Sequence, residues 1–464
     1  MTNKPLYLFN TQSGGKEVFT AGPEVRLYVC GVTPYDYAHL GHARCYVAFD
    51  VLIRVLEWWG YKVRYIQNVT DVDDKIVRKA QQELGDGGDL AAAAGAIARR
   101  FTREFNHDMR TLNVCSPSAQ PTISENMQAI IAFIAVLIDR GHAYESGSDV
   151  YFSIDSWPAY GHLSGRSLED LVAGARIEPN EHKKNPADFA LWKGGVAGSF
   201  WQSPWGLGRP GWHIECSALA RAYAGETLDI HAGGIDLLFP HHENECAQSE
   251  ALTGKPLARF WLHNAHVTLA SEKMSKSLGN TRTIRDVCAH YDPMVLRFYL
   301  LQHHYRSPLD LNMELLAGSA KAYARLARAL NPEEVFPKSE EQGLALCATL
   351  AQRWPLFAGL LDAIADDLNV AKALGLLFAE LPAVAADPEA QRAARAFVVD
   401  VCGLWLMPIA EKEPVAVSAE IAALLEARDQ ARAARDWQRA DELRDELKQR
   451  GYVPVDTKVA REKK

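Results

Sequence analysis

The chain has 464 residues, enough for three or four domains, and 48% hydrophobic with 23% charged residues is the balance of a globular protein with an ample core. A net charge of −8 excludes nucleic-acid binding through overall charge, so any RNA contact must come from local basic patches. Eight cysteines (Cys30, Cys45, Cys115, Cys216, Cys246, Cys288, Cys347 and Cys402) are too sparse for a disulfide scaffold, and the longest apolar run, Ala129 to Ile138, is about half of a membrane span. Met1-Thr2-Asn3-Lys4-Pro5 lacks the pattern of a secretory leader, so a cytoplasmic location is expected, without membrane contact.

In chain order, Leu27-Tyr28-Val29-Cys30 is an apolar strand and 31–41 a turn-rich loop with Pro34. Val47, Val51, Leu52, Val55, Leu56 and Trp59 recur at helical spacing, and Gly60 stops that helix. Val63 to Ile66 is a second strand, so the segment is a βαβ unit, which implies an α/β domain with a doubly wound parallel sheet. Thr227 to His231 resumes the pattern, followed by Gly233-Gly234 as a tight turn and Pro240 at a helix start. Between these blocks, 113–198 breaks it, with a helix over 126–140 and short strands such as Val150-Tyr151-Phe152; this is an insertion splitting the domain. From about Leu315 the chain reads as a helical bundle. After Pro414 comes a separate hairpin, one helix capped by Ser418 and running to about Arg435, the next capped by Asp436 and ending at Gly451. Its alternating charges fit either a solvated hairpin or an RNA-contacting one.

Three constellations carry chemistry. His39-Leu40-Gly41-His42 sits where strand, loop and helix meet, at a sheet's carboxyl edge; two imidazoles there can donate to phosphoryl oxygens, and Gly41 leaves room for a nucleotide. Lys273-Met274-Ser275-Lys276-Ser277 precedes Gly279-Asn280 and reads as a loop whose ammonium groups can stabilise charge developing on pyrophosphate. Cys30, Cys216 and the run Pro240-His241-His242-Glu243-Asn244-Glu245-Cys246 offer sulfur, nitrogen and oxygen donors for zinc. On spacing alone the helical pairs His241/Glu245 and His242/Cys246 are equally good.

The histidine tetrapeptide and the lysine segment, in that order, resemble the two ATP-handling signatures of class I aminoacyl-tRNA synthetases. Cys30, the run Asn68-Val69-Thr70-Asp71-Val72-Asp73-Asp74-Lys75-Ile76, Gly211–Ser217 and Phe239–Glu245 further resemble the cysteinyl-tRNA synthetase family, bacterial type, over roughly 27–310. The resemblance implies His39, His42, Lys273 and Lys276 as catalytic residues, with Gly41, Gly233 and Gly234 also at ATP. It implies Cys30, Cys216, His241 and Glu245 as ligands of one Zn2+, with His242 and Cys246 as neighbours. Gly31, Thr70, Trp212, His231 and Asp236 are the implied amino-acid contacts: Thr70 and Asp236 orient the ammonium, Trp212 walls the side-chain pocket, and His231 lies near the reacting carboxylate. It also implies ATP with Mg2+, L-cysteine, tRNA(Cys) and a monomer. The implied fold is a split Rossmann-type class I synthetase domain (1–112 and 199–267) with a connective insertion at 113–198. A stem-contact region (268–314), an α-helical bundle (315–412) and a C-terminal anticodon-binding domain (413–464) follow. Because a zinc–sulfur bond separates cysteine from serine by donor softness, no editing site is expected. One departure from the family is the tail 455–464, which lacks the Gly and Trp that often end such chains. A relative passing cysteine to an amino sugar is the nearest enzymatic rival, and a catalytically dead paralogue binding RNA or metal is the rival from outside enzymes. The separate 418–451 hairpin argues against the first, and the intact histidines and lysines against the second.

Overall fold

The computed structural model describes residues 4–406 apart from 86, 167–181, 270–271, 274–281, 312 and 331–339, and residues 423–449 apart from 425, 429 and 432–435. The chain divides into two compact units, Met1–Pro408 and Ile409–Lys464.

A hairpin of β1 (Tyr7–Asn10) and β2 (Gly15–Val18) leads into β3 (Glu24–Val32), α1 (Leu40–Trp58) and β4 (Lys62–Val69). The predicted βαβ unit is present and longer than its apolar cores, because the ladder extends strands beyond their buried residues. Helices α2 (Asp74–Leu84), α3 (Leu90–Thr111) and α4 (Met127–Asp139) follow; α4 matches the expected helix.

Five strands then form one antiparallel sheet: β5 (Ala143–Ser146), β6 (Asp149–Phe152), β7 (Phe189–Gly194), β8 (Trp201–Ser203) and β9 (Gly206–Pro210), in the order β5-β6-β7-β9-β8. The inserted sheet therefore runs past residue 198, where the insertion was expected to end. Its last hairpin is rich in Gly, Trp and Pro, which mask strand periodicity. The α/β pattern resumes with α5 (Trp212–Ala224), β10 (Leu228–Gly234), α6 (Glu243–Thr253) and β11 (Ala258–Asn264).

The central sheet has the order β11-β10-β3-β4, all parallel. From β3 the chain moves outward to β4 on one side and returns to β10 on the other. The strand order thus reverses between β3 and β10, and open α/β sheets bind ligands at the carboxyl end of such a switch point. Gly233 and Gly234, expected in a tight turn, are instead the last residues of β10, paired with His263 and Asn264.

Next come β12 (Val267–Leu269), β13 (Glu272–Lys273), α7 (Ile284–Cys288), α8 (Pro293–Leu301) and β14 (Leu309–Leu311), the strands forming a small sheet of order β13-β12-β14. Helices α9 (Met313–Leu330), α10 (Glu340–Leu350), α11 (Pro355–Ala365), α12 (Val370–Ala386) and α13 (Pro388–Ala396) form the expected bundle. Arg297 of α8, fully buried, bonds Asp50 of α1 and the carbonyls of Leu112 and Cys402, tying bundle and sheet domain together.

In the second unit, α14 (Trp437–Gln449) begins after Asp436, whose carboxylate accepts from Arg439 N at 3.1 Å, the cap expected there. Leu424, Ala427, Ala431, Ala440 and Leu443 make its small core. Ser418 lies outside the described residues. Among the described residues no helix is long and apolar enough to cross a membrane.

Candidate active site and metal centre

The carboxyl ends of β3 and β10 place Cys30 and His231 side by side at the switch point. Helix α5 brings Trp212 and Cys216, four apart and so on one face. The turn before α6 brings His241 and His242, and the first turn of α6 brings Glu245. Cys30, Cys216, His241 and Glu245 each offer a ligand atom, all within 4.8 Å of one another, and all four are buried. His241 Nε2 stands 3.1 Å from Glu245 Oε1, and Cys30 Sγ 3.6 Å from the same oxygen.

The charges of this cluster are set by its members. The Cys30 thiol, pushed up by burial, keeps its proton and donates it to Cys216, whose own pKa that hydrogen bond lowers to about 6, with His241 assisting. Burial opposes the charge on Glu245, but His231 and His241 outweigh it and hold the carboxyl at about 2. Burial likewise opposes charge on His241, yet Glu245 and Cys216 raise it to about 10. A thiolate, a carboxylate and an imidazole gathered in one buried cluster are donors that a divalent cation can hold together. Two sulfurs, one imidazole and one carboxylate suit a soft or borderline divalent metal.

A second set shares two members: Cys30, His231, His242 and Glu245 also fall within 4.8 Å. His231 Nε2 is 2.8 Å from Glu245 Oε2, and His242 Nε2 is 3.2 Å from Cys30 Sγ. Both rings thus back the shared ligands from behind. His242 Nδ1 continues to His263 Nε2 at 2.8 Å, and His263 Nδ1 to Thr11 Oγ1 at 2.8 Å. Burial pushes His242 well down and His263 to about 3, so this relay is neutral. Buried Tyr28 and Trp261 cover His231, whereas the first set abuts Trp212, 44% exposed, its ring centroid 4.3 Å from that of His241. The first set thus adjoins an exposed side chain, and the second adds His231 and His242 as partners of the two shared residues. Cys246 belongs to neither set.

The histidine tetrapeptide is built differently. His39 caps α1, and its Nδ1 accepts from His42 N at 3.3 Å; His42 Nδ1 accepts from His39 N at 3.2 Å. This is a reciprocal capping box made from two histidines. An accepting nitrogen carries no hydrogen, so each neutral ring bears its proton on Nε2. The rings stack at 3.7 Å with planes 12° apart. A Cβ on Gly41 would come within 2.9 Å of His39 Cε1, so the glycine makes room for the folded-back ring.

The histidine tetrapeptide meets residues 282–284, downstream of the lysine segment, through backbone. Leu40 N donates to Arg282 O at 3.1 Å and Ile284 N to Ala38 O at 3.0 Å, making a bridge between His39 and Thr283. On the other side, Lys273 pairs in register with Thr268. Lys276 lies outside the described residues.

The remaining predicted contacts are scattered in character. Gly31 N donates to Asn68 Oδ1 at 2.8 Å, and a Cβ there would lie 1.6 Å from Asn68 O, so the close approach of β4 dictates this glycine. Thr70, buried, accepts from Asn68 Nδ2 at 3.1 Å. Asp236 is open, its side chain 57% exposed. His231, expected near a reacting carboxylate, is fully buried against that of Glu245, a partner its position on β10 imposes. At Gly233 an added Cβ would lie 3.0 Å from Leu237 Cδ1 and His242 Cε1, and at Gly234 2.5 Å from Asp236 Oδ1, so side chains of the chain itself crowd both glycines. Asn68, His213, His263 and Arg282–Thr283 were missed as site builders. His213 Nδ1 lies 3.0 Å from His241 Nδ1, and nothing in local spacing signals such a contact between helices.

The fold is that of class I aminoacyl-tRNA synthetases: the methionyl-tRNA synthetase of Mycobacterium tuberculosis, solved with methionyl-adenylate, superposes with a TM-score of 0.57 over 87% of this chain and 94% of that one, at 17% identity. A family model described as the class I (C) tRNA synthetase catalytic domain matches residues 17–321, and one described as the cysteinyl-tRNA ligase anticodon binding domain matches 415–457. Cysteine–tRNA ligases of Pelobacter propionicus (44% identical) and Heliobacterium modesticaldum (46%) each align over 97% of this chain and 98% of their own length. The chain belongs to the cysteinyl-tRNA synthetase family.

Proposed function

We propose that the chain activates L-cysteine with ATP to cysteinyl-adenylate and pyrophosphate, then transfers cysteine to the 3′-terminal adenosine of tRNA(Cys), in the cytoplasm and as a monomer. The observation that carries this reading is the buried Cys30/Cys216/His241/Glu245 cluster at the switch point, one strand end away from the His39–His42 cap.

Those four residues would hold Zn2+, which when bound supplies a soft Lewis acid that keeps the substrate thiol as thiolate and disfavours a serine hydroxyl. Trp212, next to His241, walls the side-chain pocket, and Asp236 and Thr70 orient the ammonium group, Asp236 as its anionic partner. The cysteine carboxylate attacks the α-phosphorus of ATP, whose Mg2+ travels with it. His39 and His42, with their protons on Nε2, donate to phosphoryl oxygens beyond the positive end of α1. Lys273 and Lys276 neutralise charge growing on pyrophosphate as the bond breaks. Gly31, Gly41, Gly233 and Gly234 shape the backbone around ATP and amino acid. The regions 268–314, 315–412 and 413–464 serve the tRNA stem, body and anticodon.

Two assays test this. Cysteine-dependent ATP–pyrophosphate exchange reports adenylation, and transfer of labelled cysteine to tRNA reports the second step. Exchange without transfer overturns the tRNA assignment, and no exchange overturns the reading as a whole.

A further inference from the structure

Helix α6 carries donors on a second face. His241/Glu245 point to the sheet, while Cys246 and Glu250, again four apart, form another pair facing the inserted region. One ring nitrogen of His162, Cys246 Sγ and a Glu250 carboxylate oxygen lie within 4.8 Å of one another.

The loop carrying His162 is fastened to α6. The Glu243 carboxylate, fully buried, accepts from Gly161 N at 2.8 Å and Ser164 N at 2.7 Å. Tyr160 OH donates to Asn244 Oδ1. The loop thus fixes His162 against α6. Its Nδ1 is 3.1 Å from Ala159 O, and a carbonyl can only accept, so Nδ1 carries the hydrogen. A backbone carbonyl on one ring nitrogen is the kind of outer support that metal-binding imidazoles commonly have. Cys246 is fully buried. Glu250 accepts from Leu257 N at 3.2 Å through Oε1. The His162 side chain is 28% exposed, so the cluster reaches solvent.

We propose that His162, Cys246 and Glu250 form a second site for a thiophilic divalent cation such as zinc, separate from the Cys30 cluster, with a solvent-facing fourth position. Binding there links the 157–165 loop to α6 and displaces the thiol proton of Cys246 to water; no other bond changes. Three protein donors and an open position make an exchangeable site rather than a closed structural one.

The test uses the full chain equilibrated with excess zinc, desalted and counted by mass spectrometry, with Co2+ absorption in parallel. The expected result is two zinc ions per chain for the native sequence, and one for His162→Ala and Cys246→Ser. The thiolate-to-cobalt charge-transfer band of the second ion should survive in Cys216→Ser and vanish in Cys246→Ser. His162→Ala changes a partly exposed ring, so it tests the site even if Cys246→Ser misfolds; its second-ion affinity should fall by at least about tenfold, with unchanged pyrophosphate exchange at limiting zinc. Native protein saturating at one zinc, or equal zinc content in native and His162→Ala, overturns the proposal. Neither result bears on the Cys30 cluster, which Cys216→Ser reads on its own.

Discussion

The Cys30 cluster and the His39–His42 cap lie at the same sheet edge but are made by opposite means. In the cluster, buried side chains from β3, α5 and the start of α6 converge, and each sets the protonation of the next: Cys216 at about 6, Glu245 at about 2, His241 at about 10. In the cap, two residues three apart lock each other through their own backbone N–H groups, and the helix supplies the field. The lesson is a division of labour. In the proposed function, ATP handling draws on one helix start and so is local, whereas choice of a thiol draws on several elements and so depends on the tertiary fold.

Substitutions break the two regions in different ways. The largest effect is expected for Cys216→Ser, which should lose zinc and cysteine affinity together. Outer partners of a metal already matter by 10–100-fold, so loss of a ligand should cost on the order of a thousandfold or more in kcat/KM for cysteine; retained zinc with normal cysteine binding contradicts the assignment. Lys276→Ala belongs to the ATP side. It should slow pyrophosphate exchange by about 10²–10³-fold, as loss of one developing-charge donor does, with cysteine affinity nearly unchanged in equilibrium binding.

His231→Ala sharpens the contrast within the metal region. It removes the bond to Glu245 Oε2 at 2.8 Å without removing a ligand, so zinc affinity by competitive chelation should weaken about 10–100-fold while zinc stoichiometry at saturation holds. An unchanged affinity would assign His231 to packing alone. The smallest effect is on the cap: His39→Ala should cost about 1 kcal/mol in thermal or urea unfolding, and His39→Asp should restore most of it while leaving exchange slow. Rescue of both stability and exchange by aspartate would mean that the imidazole acts only as a cap.

Much of this was legible in the chain. The βαβ unit, α4, the bundle and the cap at Asp436 follow from periodicity and turn chemistry. The proposed metal ligands were not, from spacing alone, because His241/Glu245 and His242/Cys246 are equivalent on a helix. What separates them is the position of Cys30 at the end of β3, more than two hundred residues upstream, and of Cys216 on α5, a separate helix. The glycines also answer to the chain itself: an added Cβ would meet the Asn68 carbonyl at Gly31 and the His39 ring at Gly41. Gly233-Gly234 looks like a turn, yet it closes a strand, because pairing with His263 and Asn264 outweighs local preference.

The central claim is that the buried Cys/His/Glu cluster, through zinc, makes this an enzyme for cysteine. It is tested most directly by amino-acid-dependent pyrophosphate exchange in chelator-stripped and zinc-restored protein, with cysteine and serine side by side. The expected result is cysteine-dependent exchange that disappears on stripping and returns with zinc, with serine near background throughout. Undiminished cysteine-dependent exchange in the metal-free protein, or serine turned over comparably to cysteine in the zinc form, would contradict it.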